Sequence, residues 1–276
     1  FRLVEKGHQV SVLTGTPDYP KKSLFKEYGL FRNRYETING VKVYRFPRIS
    51  RGNGSRFRLA LNYLSFALFS CLLAPFKIKD QYDKIFIFET SPITVALPAI
   101  LLKRLRSIPI YLWVQDLWPE SAKEAGGLRN PIILGILKVL VKAIYKRSDL
   151  ILVQSKGFIN SIASMSIKQE KIIYFPNPAE KIFDEVLQID TRSCDHILPK
   201  GFRIIFAGNL GEAQDFPTIL EAAEKTRHLE HIKWIFIGDG SRRNWIERQI
   251  MDRNLKNTVS LIERQPLEAM PKFFAA

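Results

Sequence analysis

Residues 203–227 read RIIFAGNLGEAQDFPTILEAAEKTR, and this stretch decides the fold. It opens, with Phe202, on a short run of bulky, β-branched and aromatic residues through Ala207, the make-up of a buried parallel strand. Gly208-Asn209-Leu210-Gly211 then turns the chain, and Thr218, Ile219, Leu220, Ala222 and Ala223 carry it away as a helix. Strand, glycine turn and helix in that order direct backbone N–H groups out of the helix start, where a phosphate sits with little side chain in the way. A nucleoside diphosphate suits such a place. So does the plain strand-to-helix connection of any α/β protein, and two glycines alone do not separate the two readings.

The pattern repeats outward. Downstream, a strand over residues 233–237 runs into Gly238-Asp239-Gly240-Ser241-Arg242-Arg243, and a strand over 258–262 runs into Glu263-Arg264. Helices are predicted over 217–227, 242–253 and 266–275, so three successive strand ends aim at one cleft. Arginine pairs well with phosphate oxygens, which raises the diphosphate reading above the plain connection. Upstream, strands over 84–88, 108–114, 150–153 and 171–175 alternate with helices over 93–106, 131–147 and 156–165. Such alternation predicts a parallel sheet covered on both faces. The expected architecture is α/β: two Rossmann-like domains with a cleft between them, residues 1–182 first, a linker over 183–199, and a partial second domain over 200–276. Near the start, residues 9–13 read as a strand followed by a polar excursion through Asn33. Residues 36–45 read as a hairpin about Asn39-Gly40, and 48–55 as a loop.

With 276 residues, 46% of them hydrophobic, the chain can bury a sizeable core. Cys71 and Cys194 lie far apart and match neither a disulfide framework nor a zinc pattern, which suits a reducing compartment. His8, His196, His228 and His231 show no metal-binding spacing, so no protein-bound metal is expected. The net charge of +15 is unevenly placed: residues 37–79 carry eight Lys or Arg and no acid, and residues 125–148 carry five and no acid. Residues 200–276 balance twelve bases against ten acids, so the basic surface belongs to the first domain. A pI near 9.8 also admits a nucleic-acid binder, although no RRM, KH or helix-turn-helix signature is present.

Trp113-Val-Gln-Asp116-Leu-Trp118-Pro-Glu120 lies at the carboxyl end of a predicted parallel strand, where ligands of open α/β sheets bind. Asp116 and Glu120 can take a proton from, or hydrogen-bond, a sugar hydroxyl, and the tryptophans suit a sugar face or a lipid. Asp116 can equally cap the helix that starts near Pro119. Glu89-Thr90-Ser91-Pro92 ends the preceding strand, its side chains placed either to meet an acceptor or to cap the next helix. The helix over 56–76 has no charge between Arg58 and Lys77, the lower limit for crossing a bilayer. It reads as a core helix, as a helix lying in a membrane interface, or as a span.

Together GNLGEAQDFPTILEAAE, WIFIGDGSRRNWIE and the tail ERQPLEAMPKFFAA resemble the carboxyl-terminal nucleotide-sugar domain of GT-B glycosyltransferases of retaining family four. EKGHQVSVLT is similar to that family's first helix-to-strand step, and YLWVQDLWPES resembles the fucosamine-type transferases of bacterial surface polysaccharide (O-antigen or capsule) synthesis. The resemblance implies a nucleotide-sugar donor, such as a UDP-sugar, on the second domain, an acceptor on the first, and transfer with retention and no required metal or other cofactor. By position, Gly208, Asn209 and Gly211 line the diphosphate, Gly238, Asp239, Gly240 and Arg242 flank the nucleotide, and Arg264 sits near the base. Asp116 takes the catalytic, acceptor-side position, with Glu89, Thr90, Trp113 and Glu120 on the acceptor. Many relatives carry an arginine after the loop's first glycine and a lysine further on; here those places hold Asn209 and Gln214.

The resemblance also places a first strand and glycine-rich loop before Phe1, and paired glutamates after Ala276, so both ends read as cut and this stretch alone as inactive. A basic first domain with an apolar helix suits a polyprenyl diphosphate-linked acceptor at the cytoplasmic face of the plasma membrane. The basic face of the helix over 131–147 suits anionic headgroups. A sugar-nucleotide epimerase, which also has two Rossmann-like domains, is the alternative enzyme.

Overall fold

Strand and helix alternate in the computed structural model much as the sequence predicts. It describes residues 1–17, 28, 34–52, 55–124, 128–184 and 197–276. The chain divides into two units, Phe1–Asn177 and Pro178–Ala276, so the boundary falls ahead of residue 182, where the sequence put it. Most of the expected linker, with Cys194 and His196, lies outside the described residues, as does most of the polar excursion before Asn33.

In the first unit a short helix, α1 (Arg2–Glu5), leads into β1 (Ser11–Gly15), which pairs parallel with β3 (Val41–Phe46). β2 (Tyr35–Ile38) lies antiparallel to β3, and the turn between them needs positive φ at both Asn39 (47°) and Gly40 (79°). That requirement explains the Asn-Gly pair. A second, all-parallel sheet has the order β4 (Ile85–Glu89), β5 (Ile110–Val114), β6 (Leu150–Val153), β7 (Ile172–Tyr174). Helices α3 (Leu97–Arg106), α5 (Pro131–Arg147) and α6 (Gly157–Ala163) accompany it, and its core joins Ile93, Ile110, Leu112, Val141, Tyr145 and Ile151. Asn130 starts α5 by accepting hydrogen bonds from the Ile132 and Ile133 amides (3.0 and 3.2 Å), with Pro131 in the first turn. The sheet's other face leaves Phe86 and Phe88 exposed, their rings against Trp113 at 5.9 and 5.2 Å.

Among the described residues β1 pairs only with β3, and β4 only with β5. A cavity of about 610 Å³ is lined by all of β1 on one side and by residues 84–88 on the other.

Helix α2 (Arg56–Lys77) is turned inside out. Asn62, Ser65, Ala67, Ser70 and Ala74 are buried, whereas Phe57, Leu64, Leu68, Leu72 and Phe76 are each more than half exposed. Two of the polar residues inside bind the Ile49 backbone: the Asn62 side chain donates to Ile49 O (2.5 Å), and Ser65 Oγ accepts from the Ile49 amide (2.9 Å). One face of the helix therefore packs on the fold, and the face that remains is apolar.

The second unit has the parallel order β10 (Val259–Ile262), β9 (Ile232–Asp239), β8 (Phe202–Asn209). One cluster joins Leu210, Phe216, Leu220, Phe236, Ile246 and Leu255, and includes side chains of α7 (Phe216–Lys225) and α8 (Arg243–Asp252). Another joins Leu198, Ile235 and Ile237 to Phe273 of α9 (Met270–Ala275). Successive β9 residues enter opposite clusters, as a strand buried on both faces requires.

Candidate functional site

In the second unit the loops predicted to hold a diphosphate meet at one end of one sheet. β8 and β9 continue past the predicted residues 207 and 237, so Gly208 and Asn209 pair with Gly238 and Asp239 as strand residues and not as turn residues. Beyond them the loops interlock: the Leu210 amide donates to Asp239 O, and the Arg242 amide to Leu210 O, both at 2.9 Å. This contact depends on glycine. A Cβ on Gly238 (φ 150°) would lie 1.9 Å from Gly208 O, and one on Gly240 would lie 2.4 Å from Leu210 O. Asn209 and Asp239 are left exposed at the carboxyl end of the strands, and Gly211 is buried behind them. Arg264 stands in the exposed stretch just past β10, at the same end of the sheet.

Two features differ from the sequence reading. A 3-10 turn (Glu212–Gln214) separates the glycine loop from α7, and Asp215 precedes the helix with φ 49°, its carboxylate accepting from the Thr218 hydroxyl (2.7 Å). The amides at the start of α7 are thus set apart from Gly208 and carry an acid beside them. In addition, Arg242 is occupied. Glu212 grips its guanidinium at both ends, with Nε to Oε2 at 2.5 Å, and the group also lies 5.3 Å from the Trp245 ring. Each partner holds the other's charged form, so the carboxyl of Glu212 sits below its usual range and the guanidinium above its own. Arg243 ties strand ends together through Gly238 O (2.7 Å).

In the first unit the carboxyl ends of β4 and β5 bring Glu89, Thr90, Gln115 and Asp116 together, fixed by the Gln115 amide donating to Glu89 O (2.9 Å). Thr90 is exposed, and Asp116 is half-buried ahead of α4 (Glu120–Glu124). Glu120 is exposed in the first turn of that helix. Trp118 donates its indole N–H to Ser91 Oγ (3.0 Å), linking the two loops.

Two expected acceptor residues are placed otherwise. Trp113 lies within β5 with its ring on the aromatic face of the sheet, 5.1 Å from Phe175 and donating to Phe175 O (2.9 Å), away from the strand-end loop. Glu89 is fully buried, and among the described residues neither carboxylate oxygen has a hydrogen-bond partner. Burial, with the Asp116 carboxylate adding to it, pushes the Glu89 carboxyl up to about 8. The amides of Asp116 and Gln115 pull partly against this, without closing hydrogen bonds of normal geometry. Tyr145, Thr94 and Gln115 also have buried side-chain polar atoms without partners. Strand alternation was the available signal: Ile85, Ile87 and Glu89 share one face of β4, and Trp113 takes the opposite parity to Leu112 and Val114.

Residues 2–178 match the family described as "Glycosyl transferase 4-like domain". The chain belongs to this family. WcaI of Escherichia coli K12, named as a colanic acid biosynthesis glycosyl transferase, is 27% identical over 279 residues, covering 98% of this chain and 67% of that protein. Anabaena Alr3699/HepE, solved with UDP and glucose, has a TM-score of 0.59 at 13% identity, over 86% of this chain and 59% of that one. WaaG, described as a glycosyltransferase involved in lipopolysaccharide biosynthesis, has a TM-score of 0.59 at 13% identity, over 100% of this chain and 66% of that one. The family chain described here thus has a GT-B fold with Rossmann-like α/β domains, and it spans roughly three-fifths to two-thirds of these relatives.

Proposed function

We propose that the intact protein transfers a sugar from a nucleotide-diphosphate donor, a UDP-sugar first among them, to a polyprenyl diphosphate-linked glycan in bacterial surface polysaccharide synthesis. Transfer proceeds with retention and without a protein-bound metal. The observation that carries this reading is the glycine-dependent contact of Gly238 with Gly208 O, which sets Asn209, Asp239 and Gly240 around one exposed strand end. The Gly240 amide donates to the Asp239 carboxylate (2.8 Å) and the Gly211 amide to Asn209 O (2.9 Å), bonds that a pyrophosphate oxygen replaces on binding, and HepE, of the same fold, is described in complex with UDP and with UDP-glucose. Asp116 serves the acceptor, as hydrogen-bond partner or base for the attacking hydroxyl. Charge builds on the departing diphosphate, so its stabilisation is the main catalytic contribution. The match to the family over residues 2–178 favours neither a nucleic-acid binder nor an epimerase.

A thermal-shift screen of UDP- and GDP-sugars on the intact polypeptide tests the donor. A ligand at about a hundred times its Kd stabilises the native state by ~2.7 kcal/mol. No shift with any sugar nucleotide removes the proposal.

A further part of the reading concerns the protein's surroundings. The outward face of α2, with Leu64, Leu68 and Leu72 exposed beside basic helix ends, supports peripheral association with the cytoplasmic face of a membrane. Flotation with anionic liposomes is expected for the natural sequence and lost in the triple Leu→Gln variant; equal flotation of both refutes it.

A further inference from the structure

Glu89 is the one acid in the first unit's strand-end cluster that solvent does not reach. It lies on the inward side of β4 with Ile87, on the face where Ile93 and Tyr145 pack in the core. Among the described residues its two oxygens have no hydrogen-bond partner, and neither do the buried Tyr145 Oη and Thr94 Oγ1. Asp116 follows directly on Gln115, whose amide is bound to the Glu89 carbonyl. A buried carboxyl without a cation remains neutral unless something stabilises its charge, and a second carboxylate nearby does the opposite. Asp116 at the end of β5 is the titratable group that acts on Glu89, and Glu89 with Glu120 in turn adds to the burial that drives the Tyr145 phenol of α5 upward. Among the described residues, no lysine or arginine enters this set.

We propose that Glu89, buried and without a partner beneath the β5 turn, keeps its proton and so adds no second negative charge under Asp116, the acid presented to an acceptor. Glu89 is thus a positioning residue. It does not touch the acceptor; its neutral carboxyl offers an O–H donor and a carbonyl acceptor, where an ionised Glu89 offers acceptors alone. When Glu89 ionises, a second negative charge appears under Asp116, and the turn that carries Asp116 and Trp118 reorganises. The role assigned to Asp116 rests on the transferase reading, but the coupling of the two acids does not.

Tryptophan fluorescence reads the coupling without any substrate, because the Trp118 indole is held by Ser91 on the same loop that Glu89 opens. The natural protein, titrated from pH 6 to 9.5, is expected to show a transition with its midpoint near 8. Glu89→Gln is expected to abolish it, and Asp116→Asn to retain it with a midpoint shifted to lower pH, since one repelling charge is gone. No transition in the natural protein, a transition unchanged in Glu89→Gln, or an unmoved midpoint in Asp116→Asn each overturns the proposal. Should Glu89→Gln fail to fold by circular dichroism, the Asp116→Asn midpoint decides alone. Loss of sugar-nucleotide binding with the titration intact would reject the transferase reading and keep the proposal.

Discussion

Replacing Gly238 by alanine perturbs the second unit at the contact its proposed site depends on. The added Cβ lies 1.9 Å from Gly208 O and 3.1 Å from Gly208 C, so β8 and β9 must part by more than an ångström at their carboxyl ends. At φ 150° alanine also occupies backbone space that is essentially reserved for glycine, which costs ~1–3 kcal/mol. Parting the strands weakens the Leu210 amide to Asp239 O bond and the Arg242 amide to Leu210 O bond, at about 1 kcal/mol each. The sum is roughly 3–5 kcal/mol. For a unit of this size, 1 kcal/mol corresponds to about 4–8 °C in Tm, so the transition of the second unit should fall by ~12 °C or more. Calorimetry, with Trp234 and Trp245 fluorescence as the reporter of this unit, measures it. Gly208→Ala is the control for backbone strain alone, because its φ of 159° is similarly unfavourable while a Cβ there meets nothing closer than the Phe206 ring at 3.7 Å. If Gly238→Ala melts within ~2 °C of the natural protein, or no lower than Gly208→Ala, the close approach does not hold the site and the reasoning is wrong.

Glu89, raised from 4.5 to about 8, is a carboxyl that the native state keeps protonated where the unfolded chain ionises. Its contribution to stability is therefore complete below pH 4.5 and lost as pH rises through 8, at ~1.36 kcal/mol per unit between. Glu89→Gln should remove that slope and stabilise the first unit by up to ~3 kcal/mol at pH 7; urea titrations at pH 5, 7 and 9 with parallel trends for both proteins would refute it. Glu212→Gln releases Arg242 from a carboxylate and turns it toward anions. UDP affinity is expected to rise several-fold by calorimetric titration, and weaker binding would show instead that the pair itself shapes the site.

The fold was legible because its strands are short apolar runs between helical periods, and Asn39-Gly40 announced its hairpin by the φ values that turn needs. Gly208 and Gly238 were visible as glycines, but their purpose was not. It arises from two strands lying side by side, and that pairing links residues thirty apart in the chain. The Glu212–Arg242 pair was hidden for the same reason. Glu89 could have been placed by counting alternate residues along β4, yet its position before Ser91-Pro92 suggested a loop. For helix α2 the sequence left three readings open, because the inward use of Asn62 and Ser65 on the Ile49 backbone is a contact that composition and periodicity do not reveal.

The central claim is that backbone amides at the ends of β8 and β9 hold a pyrophosphate. Amide chemical shifts of ¹⁵N-labelled protein during titration with UDP test it most directly. Perturbations concentrated at Asn209, Gly211, Asp239 and Gly240, and absent on adding uridine alone, are the predicted result; shifts confined to other residues, or none at millimolar UDP, contradict it.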